Sequence, residues 1–188
     1  VARPKSDDRR NAILAAAVRV IVAQGLSAPT AAIAREAGIS NGSLFTYFET
    51  KTELFNQLYL ELKAGMATAA LDGFSAKESL RDQFARVWSN WTHWATSNPD
   101  KRRALMLLQV SGDITPETRA ASHKEMAFIA ALLERARAKG PMKDTPMVLV
   151  SAIMTAVAET TMDFMLQHPD HADEHSKAGF DALWRMLS

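Results

Sequence analysis

The chain has 188 residues, 47% apolar and 23% charged, with a formal net charge of +1. That is ample for one large or two small hydrophobic cores, and the charge alone points to no class of partner. Cysteine is absent, which excludes disulfides and thiolate metal sites and fits a reducing compartment, so a cytoplasmic protein is expected. No run of uninterrupted apolar residues approaches the ~18 of a membrane span.

The opening VARPKSDDRR has no apolar h-region behind its charges, so no signal peptide is expected. Ser6-Asp7-Asp8 then cap a first helix over about 7–24, which Gly25 can stop in the left-handed conformation. Two short helices follow over about 28–36 and 40–46, the first with Ser27 as its cap. Long ones are expected over about 51–72, 76–96, 99–111, 116–139, 146–167 and 173–187. Capping boxes at Thr50-x-x-Glu53 and Ser75-x-x-Glu78 open two of them. Asn98-Pro99, Thr115-Pro116 and Thr145-Pro146 each place a cap before a first-turn proline, and Gly140 closes the helix that Thr115 opens. No stretch alternates with period two, so the fold class is all-α with about nine helices. The seam falls along the fourth helix, which gives an N-terminal domain over 1–50 and a C-terminal domain over 51–188. Residues 1–51 carry seven cations against four carboxylates, and the remainder fifteen against seventeen, a basic head on a mildly acidic body.

The stretch AAIAREAGISNGSLFTYFETK, residues 31–51, is too short in its helices for either to gain much alone. Its spacing fits a helix-turn-helix. Ala34 and Ala37 allow close crossing, Gly38 can take positive φ in the turn, and Ile33, Ile39, Leu44 and Phe48 form a buried seam under Ile13, Val20 and Ile21. The opposite face of the second helix carries Ser40, Asn41, Ser43, Thr46 and Tyr47, followed by Lys51. These are hydrogen-bonding side chains suited to a major groove, and Gly42 would let the backbone approach a phosphate. The alternative for any single one is a capping or wet-face role.

The run IAREAGISNGSLFTYFETKTEL resembles the helix-turn-helix of the tetracycline-repressor (TetR) family of bacterial transcription regulators. Ile33, Ala34, Ala37, Gly38, Ile39, Ser40, Gly42, Leu44, Tyr47, Phe48, Lys51 and Leu54 fall on that family's pattern without a gap. The resemblance implies a three-helix DNA-binding head, a helical-bundle domain for ligand binding and dimerisation, and DNA contacts at Thr30, Ser40, Asn41, Gly42, Ser43, Phe45, Thr46, Tyr47 and Lys51. Phe45 replaces the usual Tyr and removes a hydroxyl. Asn41 replaces a frequent Lys or Arg and offers an amide that can pair bidentately with adenine. Pro29 stands where Thr or Ser is usual, which leaves more phosphate contact to Lys51, Tyr47, Thr30 and the arm residues Arg3 and Lys5.

In the larger body, VWSNWTHWATS places Trp88 and Trp91 on one helix face, with Met106, Val110, Met126, Ile129, Met154 and Met162 on neighbouring helices. These residues either fill the core or line a pocket for an apolar or aromatic ligand; the resemblance favours the pocket. Val157 and Met165 on one helix, with Phe180, Leu183, Trp184 and Leu187 on the last, either close an intrachain seam or, as the resemblance implies, meet a symmetry mate in a four-helix bundle. Glu159 and Asp163 stand in no recognisable nucleophile or acid–base frame and read as a pocket polar contact, an intersubunit pair or solvent-facing residues, and Pro169 interrupts the spacing of His168, His171 and His175. No catalytic site, metal site or cofactor is therefore expected. The reading is a homodimeric regulator, a repressor released from a palindromic double-stranded operator when a small, largely apolar effector binds the C-terminal domain. The alternative is a helical small-molecule carrier or enzyme without DNA binding.

Overall fold

The computed structural model describes residues 5–188, with side chains from Asp7 onward except that of Glu125. Arg3 and the side chains of Lys5 and Ser6 lie outside the described residues. Among the described residues there are ten α-helices, one short 3₁₀ turn and no strand. In order they are α1 (Lys5–Gln24), α2 (Thr30–Glu36), α3 (Asn41–Leu44), α4 (Lys51–Ala70), α5 (Leu80–Ser97), α6 (Pro99–Gln109), α7 (Pro116–Glu125), α8 (Ala127–Arg137), α9 (Met147–Gln167), the turn Pro169–His171, and α10 (Ala172–Leu187).

The all-α class stands, and the helix expected over 116–139 is two helices. Met126, at φ −86° and ψ 0°, sits in the sparsely allowed bridge region, and α8 restarts there with Ala130 N donating to Met126 O at 3.0 Å. The helix expected from residue 76 begins at Leu80, because Ser79 Oγ accepts from Asp82 N at 3.2 Å. Glu78, expected in a capping box with Ser75, instead pairs with Arg86. Asn98 ends α5, where its Nδ2 donates to Trp94 O at 2.9 Å. No side-chain cap opens α2 or α9, so neither Ser27 nor Thr145 serves as expected. Thr50 and Thr115 do cap, accepting from Glu53 N and Thr118 N at 3.0 and 3.2 Å.

Two compact units emerge, and the chain passes between them inside α4, between Asn98 and Pro99, and inside α7. The first comprises the chain up to Ala64 together with Pro99–Ser122. Here α1 packs on α2 and α6, and α2 on α3. Ile13, Ile21, Ile33, Leu44, Phe48, Leu54, Phe55 and Leu108 are fully buried. Asn56 pins the 113–115 turn, donating to Asp113 O at 2.7 Å and accepting from Thr115 N at 2.9 Å. The second unit, Gly65–Asn98 with His123–Ser188, packs α5 against α8, α9 and α10, and α10 along α9. Its core is Phe84, Val87, Trp88, Leu132, Leu133, Ala158, Met162, Phe180, Leu183 and Leu187. Trp88 Nε1 donates to Ser176 O at 2.9 Å, and Thr92 and Ser176 share a hydroxyl bond of 2.9 Å, so these three buried side chains are paired across the core.

α9 is long and apolar enough to cross a membrane by length and composition, yet only 22% of that window is buried in the chain. Its exposed residues include Val148, Leu149, Phe164 and Leu166.

Candidate nucleic-acid interface

The reader is built by its turn. Gly38 N donates to Arg35 O at 3.1 Å and Ile39 N to Ala34 O at 2.9 Å. With Gly38 at φ 69°, this is a Schellman stop, which satisfies the last carbonyls of α2 and turns the chain into α3. Ala34 is buried at the crossing, and Ile33, Leu44 and Phe48 lie beneath it; Ile39 is half-buried. Arg10 lies over the Phe48 ring at 5.7 Å and donates to Gln57 Oε1 at 3.0 Å, tying α1 to α4 behind the reader.

Several residues expected to face DNA have partners within the chain. Ser40 Oγ accepts from Ser43 N at 3.1 Å, the Ser40 and Ser43 hydroxyls are 2.9 Å apart, and Thr46 Oγ1 donates to Ser43 O at 2.7 Å. Asn41, Gly42, Phe45 and Thr46 form the exposed arc, while Thr30, Ser43 and Tyr47 are half-buried at its edge. Lys51 Nζ donates to Leu26 O at 2.7 Å and lies 5.2 Å over the Phe55 ring. It therefore holds the α1–α2 loop to α4, a fold-keeping task that spacing did not reveal.

Residues 13–58 match the family model described as bacterial regulatory proteins, tetR family. A TetR-family transcription regulator from Marinobacter aquaeolei VT8 is 26% identical, with a TM-score of 0.88 over 99% of this chain and 98% of that one. A tetR-family transcription regulator from Shewanella sp. PV-4 is 29% identical, with a TM-score of 0.83 over 94% and 96%. The chain belongs to the TetR family. A tetR-family protein from Rhodococcus RHA1, 17% identical with a TM-score of 0.77 over 96% and 97%, shares the fold. This TetR-family chain is accordingly a transcription regulator with a DNA-binding helix-turn-helix.

In the second unit of this TetR-family chain, Trp88, Ile129 and Met162 are buried in one apolar cluster, with Trp91, Met126 and Met154 packed against it. Met106 and Val110 do not join them. Both belong to the other unit and are 47% and 84% exposed, because the helix face expected to turn inward is taken by Arg102, Ala104, Leu105 and Leu108. A separate open cleft of about 340 Å³ lies between α5 and α10, where His93 Nε2 meets Asp173 Oδ1 at 2.8 Å. Of the proposed interface residues, Met165, Phe180, Leu183 and Leu187 are buried within one chain, so they form the intrachain seam. Val157 and Trp184 are half-buried. The apolar residues left exposed on α9 were missed, since helical periodicity does not say which of two apolar faces the chain itself covers. His168 and His171 stand 5.7 and 6.4 Å from His175, ring centre to ring centre; among the described residues no group of three or more His, Cys, Asp or Glu could hold a metal ion.

Proposed function

We propose that the chain is a homodimeric repressor acting in the cytoplasm. Its α3 enters the major groove of a palindromic double-stranded operator, and a small, largely apolar ligand bound among the C-terminal helices releases it. The observation that carries the reading is the pre-formed, Gly38-stopped turn, which presents Asn41, Gly42, Phe45 and Thr46 outward over a buried Leu44 and Phe48. Thr30, Ser40, Ser43, Tyr47 and Lys51 complete the contact set, with Ser40 and Ser43 shaping α3 and Lys51 reaching a phosphate beside its bond to Leu26 O. Two such heads related by a two-fold axis match half-sites about 34–36 Å apart.

The effector is supported by the cluster of Trp88, Trp91, Met126, Ile129, Met154 and Met162, because methionine changes shape cheaply around an apolar guest. Such a ligand acts only by favouring one shape of the protein over another. Dimerisation is supported by α9, whose Leu149, Ala152, Ala156 and Phe164 share one outer stripe at helical spacing; Val157 and Trp184 lie beside the seam. Neither catalysis nor a cofactor enters the reading. Selecting fragments of the source genome on the protein and measuring their retardation, with and without small apolar compounds, tests it. Retardation of one palindromic fragment, relieved by such a compound, is expected. Failure to retain any fragment leaves the carrier or enzyme alternative.

A further inference from the structure

We infer that Asn41 and Phe45 together read an adenine and a nearby thymine in each half-site, Asn41 at the adenine edge and Phe45 at the thymine methyl. The hydroxyls of Ser40, Ser43 and Thr46 position α3 instead. The inference rests on α3 being the DNA reader and concerns what that reader selects.

The hydroxyl bonds set the division of labour. Ser40 Oγ is spent on the cap, one of the Ser40 and Ser43 hydroxyls donates to the other, and the Thr46 hydrogen goes to Ser43 O, which leaves a single hydroxyl hydrogen among the three. A hydroxyl whose donor is satisfied by its own helix gives a base edge little discrimination. Asn41 is exposed at the first position of α3, and its amide carries a donor and an acceptor side by side. That pairing fits adenine N7 and N6 and no other major-groove edge.

Phe45 is the second half. Phe48 and Phe55 in the same unit are at most 1% exposed, whereas Phe45 is 40% exposed. Its ring has no group for a phosphate, so the gain open to it on DNA is apolar burial. In the major groove the one apolar feature that distinguishes a base is the thymine methyl. Phe45 N donates to Asn41 O at 3.4 Å, so the two residues sit one helical turn apart on the same strip. A rise of about 5–6 Å per turn spans one to two base steps of about 3.4 Å. The amide and the ring thus address neighbouring or next-neighbouring pairs.

The test uses the full chain and a duplex selected from a random pool at one fixed salt. Each thymine is replaced in turn by deoxyuridine, which keeps pairing and removes only the methyl. Each adenine is replaced by 7-deazaadenine, which removes only N7. The wild type should weaken by about fourfold at one deoxyuridine per half-site, the worth of one buried methyl. Phe45→Ala should bind thymine and deoxyuridine duplexes equally there, and Phe45→Leu should keep part of the difference. Asn41→Ala should lose its sensitivity to 7-deazaadenine one or two pairs away, where the wild type shows about fivefold or more. Unaltered helicity of Phe45→Ala by circular dichroism shows that the head still folds; should it not, the Phe45→Leu profile decides. A wild type indifferent to every thymine methyl, or a Phe45→Ala that discriminates as the wild type does, overturns the inference while leaving DNA reading intact. Failure to select any duplex overturns both.

Discussion

At the scale of single residues, Lys51 carries a task in the fold beside the phosphate contact proposed for it. Its ammonium satisfies the Leu26 carbonyl at 2.7 Å and covers the Phe55 ring, and hydrogen bonds to charged groups are worth about 1.5–3 kcal/mol. Lys51→Ala is therefore expected to lower stability by about 1–2 kcal/mol, at the lower end because the site is only part-buried; a shift in the urea midpoint at constant slope checks it. The same variant reports on DNA. If Nζ also meets a phosphate, the slope of log K against log salt should flatten by roughly 1. An unchanged slope assigns Lys51 to the fold alone.

Between elements, α9, α5 and α10 are held at fixed separation by one glycine and one carboxylate. A Cβ at Gly179 would overlap Thr161 Oγ1 and crowd the rest of that side chain, so α10 lies against α9 only because nothing projects there. Gly179→Ala should cost about 1–3 kcal/mol through overpacking. Thr161→Ala in the same chain should recover most of that loss, a coupling that a thermal double-mutant cycle measures. On the α5 side, Asp181 accepts from Lys177 Nζ at 3.0 Å and from Arg81 Nη2 at 2.6 Å. The Lys177 hydrogen bond, with the charges of Lys177, Arg81 and Arg185, holds its carboxyl below the usual carboxylate range against the opposing effect of burial. A carboxylate lowered in the folded state stabilises above its unfolded value of about 3.9, and that contribution is lost as pH falls through the lower folded value. Asp181→Asn should thus be less stable than the wild type near neutrality, with the gap narrowing in denaturation curves taken below about pH 4.

For the whole molecule the unresolved need is cover for α9. Val148 is 84% and Leu149 50% exposed, and Phe164 is 49% exposed, on a helix of high mean hydropathy. A second copy of the chain related by a two-fold axis would remove these side chains from water. Leu149→Glu with Phe164→Glu should give a helical monomer by sedimentation, since both side chains already face outward in the protomer and a charge would be buried only by assembly. Binding to a two-half-site operator should fall with it. A persistent dimer would place the interface elsewhere. Trp184→Glu is a different experiment: its ring lies 6.0 Å from Phe180 and 6.2 Å from Phe84, so that change should unsettle the protomer itself.

The helix-turn-helix was legible from residues because its contacts are short in sequence. Gly38 binds back to Arg35, Ile39 to Ala34, and Phe48 to Leu44, all within a few positions, so spacing alone implied the turn and the buried seam, and the same short run carried the resemblance to the family. The caps at Thr50 and Thr115 were legible for the same reason. Burial in the larger unit was not. Trp88 answers to Ser176 and Arg81 to Asp181, 88 and 100 residues away, and no local pattern says which apolar face of a helix those distant partners will cover. Phe180, Leu183 and Leu187 turned inward while Val148 and Phe164 stayed outside. Only the tertiary structure could decide this, because burial depends on all the neighbours of a side chain, and most of those neighbours are far along the chain.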